Sequence, residues 1–119
     1  MSENKQYISQ VLENGAVMIS DEVIAAIVVN ALKEVEGIVG IGGKIGFDLA
    51  SIKNWIKSLN ITIADGNEIR IDCNVIVAYD HPVIEVAKAA QDAIGSSVES
   101  MTGIKPAAVN VNVCGIARQ

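Results

Sequence analysis

Few residues in this chain have side chains able to do chemistry. His81 is the only histidine, so a general base would have to be built from it with Asp80 or a cysteine nearby. Such a base acts only on a nucleophile within hydrogen-bond reach. It stands in Tyr79-Asp80-His81-Pro82, a strand-to-helix junction, where capping or filling the turn is its expected role. The two cysteines, Cys73 and Cys114, form no C-x-x-C pair, so neither a zinc site nor a disulfide scaffold is indicated. Cys73 is in phase with apolar Ile71 and Val75 and reads as a small core residue. Cys114 falls out of phase with the core. A reactive thiol there needs a cation to lower its pKa, and Arg118 is the nearby candidate. No serine nucleophile elbow and no metal-spaced His/Glu pair is present. The carboxylates Glu34, Glu36, Glu85, Asp92 and Glu99 read as solvated helix faces. No catalytic, cofactor or metal site emerges.

The glycine-rich stretch from Gly40 to Gly46 invites a phosphate-binding reading, because backbone amides freed by glycine can cradle an anion. The registers fail. A Walker loop starting at Gly37 reaches Gly42 followed by Gly43 rather than lysine, Lys44 is followed by Ile45 rather than Ser or Thr, and a dinucleotide fingerprint from Gly40 finds Ile45 where glycine is required. Gly43-Lys44-Ile45-Gly46 does match the G-x-x-G loop with which KH modules clamp a nucleic-acid backbone. Lys44, Lys53 and Lys57 would supply a local positive patch, and an RNA-binding KH-like module is the alternative functional reading. The charge balance opposes it: 9 basic against 14 acidic residues give a net charge of -5, the wrong sign for a protein that neutralises phosphates or anionic lipid. The aromatics Tyr7, Phe47, Trp55 and Tyr79 are too few for a base-stacking platform.

The elements that would hold these residues can be read in order. With 119 residues, half of them hydrophobic, the chain suits one core built from Val, Ile, Leu and Ala. Residues 1–14 read as a flexible N-terminal tail, docking through Tyr7, Ile8, Val11 and Leu12, and residues 15–119 as one domain. No signal segment follows MSENKQ, and the longest apolar run, Val23 to Val29, falls far short of the ~18 residues of a membrane span. These features point to a cytosolic protein. A short strand at Ala16 to Ile19 leads to Ser20, a helix N-cap, with Asp21 and Glu22 suited to the helix dipole. Val23, Ile24, Ile27, Val28, Ala31, Leu32 and Val35 then make an apolar stripe that Gly37 should close. Ile38 to Ile41 reads as a strand, and Asp48 to Lys57 as one or two helical turns.

Three alternating runs follow, and their phases define two faces. Leu59, Ile61 and Ile63 oppose Asn60 and Thr62. After an Asp65-Gly66-Asn67 hairpin turn, Ile69, Ile71, Cys73, Val75 and Val77 oppose Arg70, Asp72 and Asn74. Val109, Val111 and Val113 oppose Asn110, Asn112 and Cys114. Before the last run lies a second helix with Pro82 in its first turn and Asp80 or His81 as cap. Its stripe is Val83, Ala87, Ala90, Ile94, Val98 and Met101, and Gly103 closes it. The order predicts an α+β two-layer sandwich, a mixed or antiparallel sheet with two long helices on one face. The other face would carry Asn60, Thr62, Arg70, Asp72, Asn74, Asn110 and Asn112. A hydrated sheet face is one reading of it; a self-association or partner surface, where short polar side chains permit close approach, is the sharper one.

Several segments together resemble the alkaline-shock and envelope-stress proteins of Gram-positive bacteria. They are Gly15-Ala16-Val17 with Ile19-Ser20-Asp21-Glu22-Val23-Ile24, Glu34-Val35-Glu36-Gly37-Ile38-Val39-Gly40, the alternating strand ending at Tyr79, and Val98-Glu99-Ser100-Met101-Thr102-Gly103 before Val109-Asn110-Val111-Asn112-Val113. The resemblance implies a non-enzymatic cytoplasmic stress protein without cofactors. It further implies a homo-oligomer, a scaffold or adaptor held near the cell membrane by a small membrane-anchored partner; charge and composition, read separately, point to no direct membrane insertion and argue against nucleic acid. The family supplies no catalytic residues to carry over.

Overall fold

The computed structural model describes residues 7–41, 44–45, 59–64 and 67–118. Two strands, β1 (Tyr7–Leu12) and β2 (Gly15–Ser20), are followed by helix α1 (Asp21–Lys33), strands β3 (Ile38–Ile41), β4 (Lys44–Ile45), β5 (Asn60–Ala64) and β6 (Glu68–Ala78), helix α2 (Val83–Thr102) and strand β7 (Ala108–Ala117). The main sheet is built around β6. Strand β7 runs parallel to it from Arg70 opposite Ala108 to Ala78 opposite Ala117. A strand has two edges, so β5 and β3 share the other one. Antiparallel β5 lies beside the first half, from Asn60 opposite Asp72 to Ala64 opposite Glu68, and antiparallel β3 beside the second half, with Ile41 opposite Val75. The sheet is therefore mixed, and the parallel β6–β7 pair requires the crossover that α2 supplies.

Both helices cover one face, as their apolar stripes dictate. Ile24, Val28 and Leu32 from α1, Val86, Ala90, Ile94 and Val98 from α2, and Ile69, Ile71, Cys73, Val75 and Val77 from β6 share one buried cluster. On α2 the buried positions step strictly by four, Val86, Ala90, Ile94, Val98 and Thr102. This moves the expected end of the stripe by one residue. Met101 is 69% exposed, and Thr102 is buried in its place because its hydroxyl donates to the Val98 carbonyl at 2.7 Å. On α1, Val23 is exposed whereas Ala25 and Val29 are buried.

Three boundaries and one strand pattern differ from the sequence reading. Helix α1 stops at Lys33 with Glu34 as its C-cap, ahead of Gly37. That glycine belongs to the turn into β3 at φ +100, where an added Cβ would lie 2.9 Å from Val86 Cγ2 and 3.1 Å from His81 Cδ2. It serves the close approach of α2 rather than the helix end. Pro82 is the N-cap residue of α2, not part of its first turn. In place of the expected tail, Tyr7–Leu12 forms β1 and pairs antiparallel with β2, Ile8 opposite Ile19. Ile8 is fully buried in the main cluster, and the Asn67 side-chain amide bonds both main-chain groups of Ser9, accepting from its N–H at 3.2 Å and donating to its carbonyl at 3.0 Å. Finally, the strands are not one-sided throughout. Register shifts in β3 between Ile38 and Gly40, and in the β6–β7 pair after Val75, return Ile41 to the core and turn Ala117 to the helix-free face. There Ala117 joins Val39, Ile76 and Ala78, which plain alternation already places on that face, in a second small apolar cluster, because an extra residue reverses the alternation of everything beyond it. The helical turns expected at Asp48 to Lys57 lie outside the described residues.

Candidate functional site

The residues singled out from strand phases come together. Pairing sets Asn60 beside Asp72 and Asp72 beside Asn110, Thr62 beside Arg70, and Asn74 beside Asn112. All seven side chains therefore lie on the helix-free face, spread over β5, β6 and β7. Asp72 is half-buried and the other six are exposed. Alternation places them there: each sits between residues whose side chains enter the core, such as Ile61, Ile71, Cys73 and Val111. Asn110 Nδ2 donates to Asp72 Oδ1 at 2.8 Å across the β6–β7 pair, and the Arg70 guanidinium donates to Glu68 Oε2 at 2.8 Å. The charges on this face are thereby engaged locally, leaving neutral amides and a hydroxyl for anything that approaches. Such groups are less costly to desolvate than free charges. Beyond Asn74 and Asn112 the face becomes apolar at Ile76, Ala78, Val39 and Ala117. The sequence reading stops the face at Asn74 and Asn112, although alternation with Val75 and Val77 already puts Ile76 and Ala78 on it; only Ala117 depends on a bulge. Gly40 and Gly115, each set opposite Ile76, are the signal that could have marked the two bulges, since glycine within a strand often marks one.

The chemical candidates separate. Cys73 is 1% exposed; burial, and after it the Asp72 carboxylate, push its thiol up to about 12, so it is a core residue and no nucleophile. Cys114 is exposed, and its Sγ lies 3.5 Å from the Val75 carbonyl. The Arg118 guanidinium stacks over the Tyr79 ring at 4.7 Å. His81 fills the strand-to-helix turn against Gly37, and its Nδ1 is buried without a hydrogen-bond partner. Around it Glu34, Glu36 and Glu85 line a shallow groove of about 530 Å³. Among the described residues, no three of His, Cys, Asp or Glu converge as a metal set, and no helix is long and apolar enough to cross a membrane. Of the glycine motif, Lys44 and Ile45 form β4, paired with Ile41 and Gly40; Gly43 and Gly46 lie outside the described residues.

The fold and site thus define a two-layer α+β protein whose distinctive surface is a sheet face of amides. A model of the alkaline shock protein 23 family, described as having a cell envelope-related function, matches residues 9–118. The chain belongs to that family. It is similar to the uncharacterized protein Spy1614 of Streptococcus pyogenes serotype M6, 28% identical over 109 residues, covering 87% of this chain and 89% of the relative. It is also similar to the uncharacterized protein YloU of Bacillus subtilis strain 168, 32% identical over 107 residues, covering 86% and 88%. Among solved structures, MamM CTD H264E superimposes with a TM-score of 0.49 at 16% identity, covering 82% of this chain and 94% of that one.

Proposed function

We propose that the protein is a non-enzymatic scaffold or adaptor of the bacterial cell envelope that associates with itself and with a small membrane-anchored partner. It would work on the cytoplasmic side of the membrane without inserting into it. One observation carries this reading: seven polar side chains on three strands are held in register on an open sheet face, with their charges engaged by neighbours and the amides of Asn60, Asn74 and Asn112 exposed. Membership of an envelope-related family supports the location. The chain's net charge of -5 opposes direct adsorption to anionic lipid, which favours attachment through another protein.

The test places a charge on the β7 side of the face. Asn112→Lys leaves the core untouched and should weaken self-association about tenfold, since a buried unpaired charge must be desolvated at the contact. Light scattering across a concentration series reads the association, and thermal melting checks that the fold is intact. Unchanged association would remove this face from the assembly. Capture of the tagged protein from gently solubilised cells should recover untagged copies together with a small integral membrane protein; recovery of nuclease-sensitive RNA without either would overturn the scaffold reading.

A further inference from the structure

Strand β7 forms one border of the sheet: among the described residues it pairs only with β6, along its whole length. It runs for 10 residues, and from Pro106 through Ala117 the sequence contains no charged side chain. Natural sheets blunt such edges with lysine, proline, short strands or bulges. Here the first three are missing from the strand, and the bulge lies beyond Val113. Main-chain groups of successive strand residues point to opposite edges. Gln91 on α2 donates to the Val109 carbonyl at 3.0 Å, which places Val109 in the set facing away from β6, and with it Val111 and Val113. Gln91 takes one lone pair of that carbonyl and leaves the other available.

We propose that β7 pairs with β7 of a second copy, antiparallel about a two-fold axis at Val111, so that the sheets of two molecules join into one. The inference rests on the self-association reading above and names the contact. Three observations favour a second copy over another partner. Val109-Asn110-Val111-Asn112-Val113 reads the same in both directions, so the two-fold sets Val111 opposite its own equivalent, Val109 opposite Val113, and Asn110 opposite Asn112. Valine meets valine on the helix side and amide meets amide on the open side. Next, a chain of net charge -5 repels its own copy over most of its surface, and this uncharged strip is a place where two copies meet without like charges opposed. Lastly, Asn110 and Asn112 belong to the amide face, so the pairing extends that face across both molecules instead of covering it.

The register makes the test specific. Because Val111 turns its N–H away from β6, Val111→Pro removes an outward donor while sparing the β6–β7 ladder. It should weaken dimerisation about tenfold or more, with Val111→Thr as the control that retains it. A second measurement does not depend on the stability of the proline variant. Asn110 and Asn112 would form a non-hydrogen-bonded pair across the axis, where Cα atoms approach to about 4.5 Å and a disulfide fits. In a Cys114→Ser background, Asn110→Cys protein mixed with Asn112→Cys protein should cross-link on mild oxidation, well above the yield of either alone. A self-associating parent whose proline variant associates equally and whose mixed cysteines fail to cross-link would overturn the edge contact and leave the scaffold reading standing. A parent protein that stays monomeric at every concentration would overturn both.

Discussion

Cys73 shows how one residue's environment settles its role. At the centre of β6 its thiol is enclosed by the main cluster, and burial raises its pKa from 9.0 to about 12. The sign of the linkage follows. Between these values the unfolded chain has lost the thiol proton and the folded chain has kept it, so the stability due to the neutral thiol is complete below pH 9.0 and is lost as pH rises toward about 12. The slope in that window is about 1.4 kcal/mol per pH unit. Cys73→Ala should therefore cost about 1 kcal/mol at neutral pH for the space it leaves, yet its stability should fall less steeply above pH 9.0 than that of the parent. Denaturant unfolding of both proteins at several alkaline pH values gives the comparison, and parallel slopes would contradict it. The same burial predicts that alkylating reagents at neutral pH modify Cys114 and spare Cys73 while the protein is folded.

At the scale of elements, the β1–β2 hairpin owes its position to very little. Its outer half exposes Val11, Leu12, Val17 and Met18, and a two-stranded ribbon alone is marginal in water. What fixes it is Ile8 in the core and the Asn67 amide closing on Ser9. Asn67 has φ 62, a conformation glycine adopts freely, so Asn67→Gly removes the amide and keeps the turn. Amide hydrogen exchange should then accelerate about tenfold in β1 and β2 while α1, α2 and β6 keep their protection. Uniform acceleration would mean that the turn, not the tie, had been lost. This hairpin also marks where the sequence stopped being informative. The apolar phases of β5, β6 and β7 were legible because alternation persists for many residues, and they located the amide face without any structural information. Tyr7–Leu12 has no clean period: Val11 and Leu12 are adjacent apolar residues, and only Ile8 is buried. Its strand state comes from pairing with β2, a contact that local pattern does not record. The end of α1 was illegible for the opposite reason. Glu34 and Glu36 flank buried Val35 with a pattern suited to helix, and the chain leaves it for the turn that brings Gly37 against Val86. The bulges around Ile76 likewise depend on two neighbouring strands at once.

For the whole molecule, the balance between charge and contact decides how assembly responds to conditions. The chain carries a net charge of -5, whereas the amide face and the β7 edge through which copies would meet are nearly neutral. Long-range repulsion therefore opposes association, and no intermolecular ion pair is required to hold it. Salt should consequently act against the usual expectation for an electrostatic complex. Screening shortens the reach of repulsion from about 30 Å at 0.01 M to about 3 Å at 1 M, so added sodium chloride should tighten self-association. The melting temperature should rise with protein concentration at each salt level, because an assembly that binds only folded chains stabilises them by mass action. An RNA-binding module would show the reverse, losing its ligand steeply as counterions compete for phosphate. Light scattering and melting over a matrix of salt and protein concentrations separate these cases. Dissociation on adding salt would mean that the copies meet through charged groups elsewhere, and neither the amides of β5, β6 and β7 nor the valines at the sheet edge would then be the contact.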